Sequence, residues 1–167
     1  MYSLETICHT NIKKSRLFDI IRIKSSAWKY PLEEQLQWID KNITSSDIHC
    51  ILKSDNIDVA YLNLIDINLI IDNSLYKGYG IGNVCSKAKG QGYGSALMEN
   101  VNLYIKQCAR VGMLFCKNDL LSFYARFGWI EVPQARLQIS MNFANANIMV
   151  YNCPNDFHCL KFRGLYF

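Results

Sequence analysis

Val84-Cys85-Ser86-Lys87-Ala88-Lys89-Gly90-Gln91-Gly92-Tyr93-Gly94-Ser95 decides the fold, because an apolar, strand-like run there leads into a glycine-rich turn that opens a long amphipathic segment. Glycines let the backbone approach an anion closely and supply the positive φ values that turn successive N–H groups inward. Past Gly94 no proline occurs until Pro133, and Leu97, Val101, Tyr104, Ile105 and Cys108 recur on one helical face. The turn is therefore expected at a helix N-terminus, where unpaired N–H groups and the positive end of the helix dipole favour a phosphate ligand. Lys87 and Lys89 add positive charge beside it.

Spacing separates the nucleotide-binding turns that this stretch could form. Gly90, Gly92 and Gly94 fall as G-x-G-x-G, whereas the dinucleotide fingerprint needs G-x-G-x-x-G and an acidic residue about 20 positions on. A nucleoside-triphosphate loop needs Gly-Lys-Ser/Thr, and Gly94 is followed by Ser95 and Ala96. Neither pattern is met.

Lys89-Gly90-Gln91-Gly92-Tyr93-Gly94 instead resembles the Arg/Gln-x-x-Gly-x-Gly/Ala signature of the GCN5-related N-acetyltransferases, with Lys in the first position. Phe123-Tyr124-Ala125-Arg126-Phe127-Gly128-Trp129 looks like the Phe/Leu-Tyr-x-x-x-Gly-Phe/Trp segment that follows in that family. The resemblance covers Leu62 to Trp129 well and the first part of the chain hardly at all. It implies an α/β (α+β) fold of the GNAT type: a mixed central sheet of six or seven strands, splayed at the cofactor site, with four helices. It also implies acetyl-CoA as co-substrate. The pantetheine arm would pair with the strand at Asn83, Val84 and Cys85, and Lys89, Gly90, Gln91, Gly92, Tyr93, Gly94 and Ser95 would hold the pyrophosphate. Tyr124 matches the tyrosine that lies near the CoA sulfur, and is the candidate catalytic residue. Family members often carry an Asn where this chain has Lys117, so Asn118 beside it is the candidate cofactor contact. The layout of the C-terminal third, ending Gly164-Leu165-Tyr166-Phe167, is similar to that of aminoglycoside 2′-N-acetyltransferases, although no acidic cluster for a polycation stands out there.

Acetyl transfer to an amine needs a neutral nucleophile, polarisation of the thioester carbonyl, and a proton for the departing thiolate. Backbone N–H groups near Asn83 and Val84 could polarise the carbonyl, and Tyr124, with a phenol pKa near 10, could donate the proton. Glu131, Asp66, Asp72, His9 and His49 are the candidate bases, none of them in a recognisable motif. Cys85 has no histidine placed by sequence and is expected to contribute backbone only. The leading reading is transfer to a primary amine of a small molecule. The alternatives are a catalytically inactive acyl-CoA-binding sensor and a protein or peptide acetyltransferase.

With 167 residues, one domain spanning 1–167 is expected. A composition of 50% hydrophobic and 19% charged residues reads as globular. The formal charge of +4 is too mild to argue for nucleic acid, and no basic run with interleaved aromatics occurs. Seven cysteines without a C-x-x-C pair give no metal-site spacing and read as free thiols of a reducing compartment. The N-terminus lacks a secretion-signal pattern, and the apolar run from Ile57 to Ile71 is interrupted by Asp58, Asn63, Asp66 and Asn68, so a cytoplasmic protein without a membrane partner is expected. Apolar tail residues such as Phe157, Leu160, Phe162 and Leu165 suit either core packing or a homodimer interface.

Pattern reading places strands at Leu4 to Cys8, Ile48 to Lys53, Val59 to Ile71, Leu75 to Cys85 and Val111 to Cys116. It places helices around Ile12 to Ile23, over Leu32 to Ile39, after Gly94, and over Asp119 to Arg126 with Asn118 or Asp119 as cap. Ser54-Asp55-Asn56 should close an antiparallel hairpin, while Gly78, Gly80 and Gly82 suggest a bulge or a close approach. The strands flanking the long helix should pair in parallel with a right-handed connection. Leu137 to Met141 and Ile148 to Tyr151 are predicted as a closing antiparallel pair.

Overall fold

The computed structural model describes residues 1–139, 146–164 and 167. In chain order the elements are β1 (Tyr2–Cys8), α1 (Lys14–Lys24), α2 (Leu32–Asn42), β2 (Ile48–Ser54), β3 (Ile57–Ile71), β4 (Ser74–Ser86), α3 (Tyr93–Gln107), β5 (Val111–Cys116), α4 (Leu121–Ala125), β6 (Ile130–Glu131), β7 (Leu137–Ile139), β8 (Asn147–Tyr151) and β9 (Leu160–Phe162). Among the described residues this is a mixed α+β structure with four α-helices. Its strands exceed the expected six or seven because β6, β7 and β9 are two or three residues long, too short to leave a periodic signal. The residues divide into two compact units, Met1–Ile65 with Gly82–Val101, and Asp66–Ile81 with Asn102–Phe167.

In the first unit β1, β2 and β3 form an antiparallel meander, with Leu4 opposite Leu52 and Cys50 opposite Leu62. The hairpin between β2 and β3 turns on Asp55 (φ 48°) and Asn56 (φ 68°). A two-residue turn with both φ values positive matches the twist of the flanking strands, and Asp and Asn tolerate that region better than other side chains. α1 buries Ile20, Ile21 and Ile23, and α2 buries Ile39. Ile20 and Ile23 pack with Ile51, Tyr61 and Cys85, while Ile21 packs with Ile39 and Ile43. Each such side chain contributes about 1.5–3 kcal/mol by leaving water. Arg16 of α1 ties these layers together through ion pairs to Glu5 of β1 and Asp58 of β3. The guanidinium's hydrogen bond holds the Asp58 carboxyl below its ordinary range.

In the second unit β5 pairs in parallel with β4 from Gly78/Val111 to Ile81/Leu114, and antiparallel with β8 from Gly112/Tyr151 to Cys116/Asn147. The sheet is therefore mixed, and the parallel pairing expected around the long helix is present. The expected hairpin of 137–141 with 148–151 is not: β7 pairs in parallel with β9, and β8 pairs with β5 and β6. Short apolar runs show that a strand forms but not which partner it takes, and a segment in the tail supplied the partner of β7. Residues 140–145, including Met141, and Leu165 and Tyr166 of the tail fall outside the described residues.

Two of the β4 glycines, Gly78 and Gly80, serve close approach. A Cβ on Gly78 would lie 2.9 Å from the Val111 carbonyl oxygen, and one on Gly80 would lie 2.4 Å from the Phe167 ring. The segment Asp119 to Arg126 forms a 3-10 turn (Asn118–Leu120) running into α4, and no side chain caps either piece, so Asn118 and Asp119 do not play the capping role expected of them. Gly128, at φ 80°, reverses the chain after α4. Trp129 then stacks on Tyr151 at 5.4 Å and donates from Nε1 to Asn102 Oδ1 at 3.0 Å, while Asn102 Nδ2 donates to the Phe127 carbonyl at 2.8 Å. Gly112 leaves room for that indole, since a Cβ there would meet Trp129 at 2.6 Å.

Candidate active site

The glycine-rich turn is built in the first unit, where β4 runs out at Ser86 and α3 starts at Tyr93. Gly90 and Gly92 take φ values of 76° and 74°, a region that L side chains rarely adopt. No atom lies within 4 Å of a Cβ built on either, so the space in front of the turn is open. The Ala96 N–H donates to the Gly92 carbonyl at 3.0 Å, which makes Gly92 the residue from which α3 springs. The amides of Tyr93, Gly94 and Ser95 are then the N–H groups of the first turn, which have no partner inside a helix. Lys87 and Lys89 are exposed beside the turn. The segment Lys89, Gly90, Gln91, Gly92, Tyr93, Gly94 and Ser95 is thus a turn with left-handed glycines, open in front and leading into a helix start, with exposed lysines beside it.

Beyond the close approaches at Gly78 and Gly80, the backbone irregularity in β4 sits at Asn83. Asn83 has φ 55°, and its Nδ2 donates to Oδ1 of buried Asn63 at 2.8 Å. A left-handed residue inside a strand breaks the alternation of peptide groups, so amides around Asn83 and Val84 are re-aimed out of the regular pattern. No sequence pattern announces this, although Asn is the non-glycine residue best suited to it. Cys85 is buried, and desolvation pushes its thiol up to about 12. It is a poor nucleophile, as expected.

Tyr124 and Asn118 lie in the second unit. Tyr124 is buried, with its ring edge-on to Phe123 at 5.1 Å and to Trp129 at 6.4 Å. Burial, aided by the neighbouring Cys116, pushes its phenol up to about 12, so the proton stays on at neutral pH. Its hydroxyl makes no hydrogen bond among the described residues. Asn118 accepts a hydrogen bond from Asn147 Nδ2 at 2.6 Å through Oδ1, leaving its amide nitrogen for other contacts.

His9, His49, Asp66 and Asp72 among the candidate bases have partners in the fold. His49 is wholly buried, bonded to Tyr61 at 2.8 Å and to His9 at 2.9 Å. Burial, then His9 and Lys24, bring its pKa down to about 4. Asp66 pairs with Arg110 at 2.8 Å, and Asp72 accepts the backbone N–H groups of His158 and Cys159. Glu131 is exposed on β6. Sequence reading missed a cavity of about 390 Å³ in the first unit, which Asn83 lines together with residues of α1, α2 and the loop between them. The signal that could have found it is the cluster of Trp28, Tyr30 and Trp38 around Pro31, aromatics without a place in either helix's apolar face.

No protein-family model matches the sequence, and no curated protein sequence matches it significantly. Solved structures match by fold. A Pseudomonas aeruginosa acyl-CoA N-acyltransferase aligns with a TM-score of 0.63 at 18% identity, over 90% of this chain and 99% of that chain. The ribosomal-protein-S18-alanine N-acetyltransferase of Escherichia coli aligns at 0.62 and 15% identity over 100% of both chains. A GCN5-related N-acetyltransferase from Kribbella flavida aligns at 0.60 and 17% identity, over 78% of this chain and 33% of that chain. The chain has the fold of the GCN5-related N-acetyltransferases. At these identities the likeness is one of fold, and function has to be argued from the site.

Proposed function

We propose that this chain is an acetyl-CoA-dependent N-acetyltransferase that moves the acetyl group to a primary amine of a small molecule by direct attack. The observation that carries the reading is the turn at Gly90 and Gly92, left-handed, open to solvent and continuous with the start of α3. Amides from Gln91 to Ser95 would hold the pyrophosphate, with Lys89 adding charge, and the β4 backbone at Asn83, Val84 and Cys85 would pair with the pantetheine arm. Acetyl-CoA supplies the activated acetyl thioester when bound.

The chain's own groups then have three tasks. Amides re-aimed by the left-handed Asn83 polarise the thioester carbonyl, a device that costs no reorganisation because the strand holds them in place. Tyr124, protonated and without an internal partner for its hydroxyl, delivers a proton to the departing sulfur. The acceptor amine must be neutral when it attacks, and its proton leaves to water or a carboxylate of the acceptor site.

One observation favours a second reading. His49, Asp66 and Asp72 are engaged in the fold, which would suit an acyl-CoA-binding module that has lost catalysis. An aminoglycoside acceptor is the narrower form of the first reading. Calorimetric titration with acetyl-CoA, followed by thiol release over amino acids, polyamines and aminoglycosides, separates these. Saturable binding with release on an amine supports the enzyme and names its substrate. Binding with no release on any amine favours the sensor module, and no binding overturns both.

A further inference from the structure

Two unsatisfied polar groups face the cavity that Asn83 lines, and together they describe a ligand. Lys24 closes α1 and is only 5% exposed. Its ammonium lies 4.3 Å from the centroid of the Trp38 ring and has no carboxylate or hydrogen-bond acceptor among the described residues. A buried ammonium beside an aromatic face and the neutral thiol of Cys85 lacks the anion that would offset its desolvation. Gln35 of α2 is 4% exposed. Its Nε2 donates to Ser25 Oγ and to the Tyr30 carbonyl, both at 3.0 Å. A carbonyl can only accept, so the Tyr30 contact fixes which end of the amide is nitrogen. That leaves Gln35 Oε1 buried without a donor.

Both groups line one cavity of about 390 Å³, whose other walls include Trp28, Tyr30 and Trp38. That volume suits a small molecule, and a mostly apolar pocket with a few convergent polar groups is the usual form of such a site. The complement of a bare ammonium is an anion, the complement of a bare amide oxygen is an N–H donor, and the complement of aromatic walls is a flat or apolar body. Asn83 joins this wall to the β4 segment where the thioester arm would run, so an amine held here would be beside the acetyl donor.

We propose that this cavity is the acceptor pocket and that the acceptor is an aromatic amino carboxylate, with its carboxylate on Lys24 and its amine N–H groups on Gln35 Oε1. The assignment rests on the acetyltransferase reading for its chemistry but not for the binding itself. It disfavours polycationic acceptors, which would meet Lys24 with like charge.

L-phenylalanine and phenethylamine differ only by the carboxylate and are the probes, with spermidine as the polycation. Binding is read from tryptophan fluorescence without acetyl-CoA, and KM from thiol release with it. L-phenylalanine is expected to bind at least tenfold tighter than phenethylamine and to show a correspondingly lower KM. Lys24→Met, or Lys24→Gln should the first variant not fold, is expected to erase that preference, with acetyl-CoA affinity as the control for an intact fold. Equal or tighter binding of phenethylamine or spermidine overturns the proposal, as does a preference that survives in a folded Lys24 variant. A protein that fails to bind acetyl-CoA yet shows the preference defeats the acetyltransferase reading and leaves the pocket standing. One that acetylates phenethylamine as readily as phenylalanine does the reverse.

Discussion

The two units bury different kinds of side chain. Of the buried polar or charged residues, Lys24, Gln35, Asp47, His49 and Asn63 lie in the first unit, and among the described residues only Asn102 lies in the second. Burial in the first unit raises Cys85 and Tyr61, and it also acts on cations: it brings Lys24 down to about 8 and His49 down to about 4. In the second unit it acts on groups that are neutral at pH 7 in any case, raising Tyr124 to about 12 and Cys116 to about 11. Asn102 there is satisfied at both ends, by Trp129 and by the Phe127 carbonyl. The second unit is thus a packing solution in which glycines make room for aromatic rings. The first retains polar groups that the fold leaves without partners, the condition expected of a site prepared for a ligand.

Changes that act on one unit by mechanisms absent from the other sharpen this contrast. The largest effect is expected for Tyr124→Phe, which keeps the ring and removes the proton: kcat should fall by about 100-fold or more with acetyl-CoA affinity unchanged, as measured by thiol release and calorimetry. Unchanged turnover would make the second unit scaffold alone. Lys24→Met should stabilise the protein by up to about 3 kcal/mol at pH 7, because the folded state disfavours a charge that the unfolded chain carries freely. Between pH 8 and 10.5 the unfolded chain binds the Lys24 proton more than the folded one does, so wild-type stability rises through that window and the variant's advantage shrinks. Cys85 of β4 and His49 of β2 also act on this ammonium, and Glu34 of α2 lines the same cavity, so denaturant melts at pH 7 and 10 should be compared between the two proteins, not read singly.

Alanine at two glycines makes the next comparison. Gly112→Ala drives a methyl group into the Trp129 ring, and overpacking of this kind typically costs about 1–3 kcal/mol. Gly90→Ala meets no atom and should cost only backbone strain, about 1 kcal/mol. Thermal melts of the two variants rank them, and equal losses would contradict the distinction between a glycine kept for space and one kept for conformation.

Much of the architecture was legible because local and global signals agree. β5 runs from Val111 to Cys116 as expected, α2 starts at Leu32 after Pro31, and the β2/β3 turn falls on Asp55 and Asn56. The glycine-rich turn was legible for the same reason, since a positive φ is written in glycine. The partner of β7 was hidden because parallel pairing with a three-residue segment of the tail leaves no periodicity. Asn83 was a candidate, but its left-handed conformation was hidden because nearby glycines offered a simpler cause for an irregular strand. Lys24 stands in the last turn of α1, where a basic residue complements the dipole and its sequence context gives no sign of burial. Only packing against Trp38 and the β4 neighbour Cys85 makes it a buried cation.

Calorimetric titration of acetyl-CoA into the wild-type protein and into Gly92→Glu, with circular dichroism to establish that the variant is folded, tests the cradle most directly. The substitution puts bulk and negative charge where the pyrophosphate would sit. Saturable binding to the wild type and a loss of at least about 100-fold in the variant is the predicted result. Equal affinity in a folded Gly92→Glu protein, or no binding to the wild type, would contradict the account.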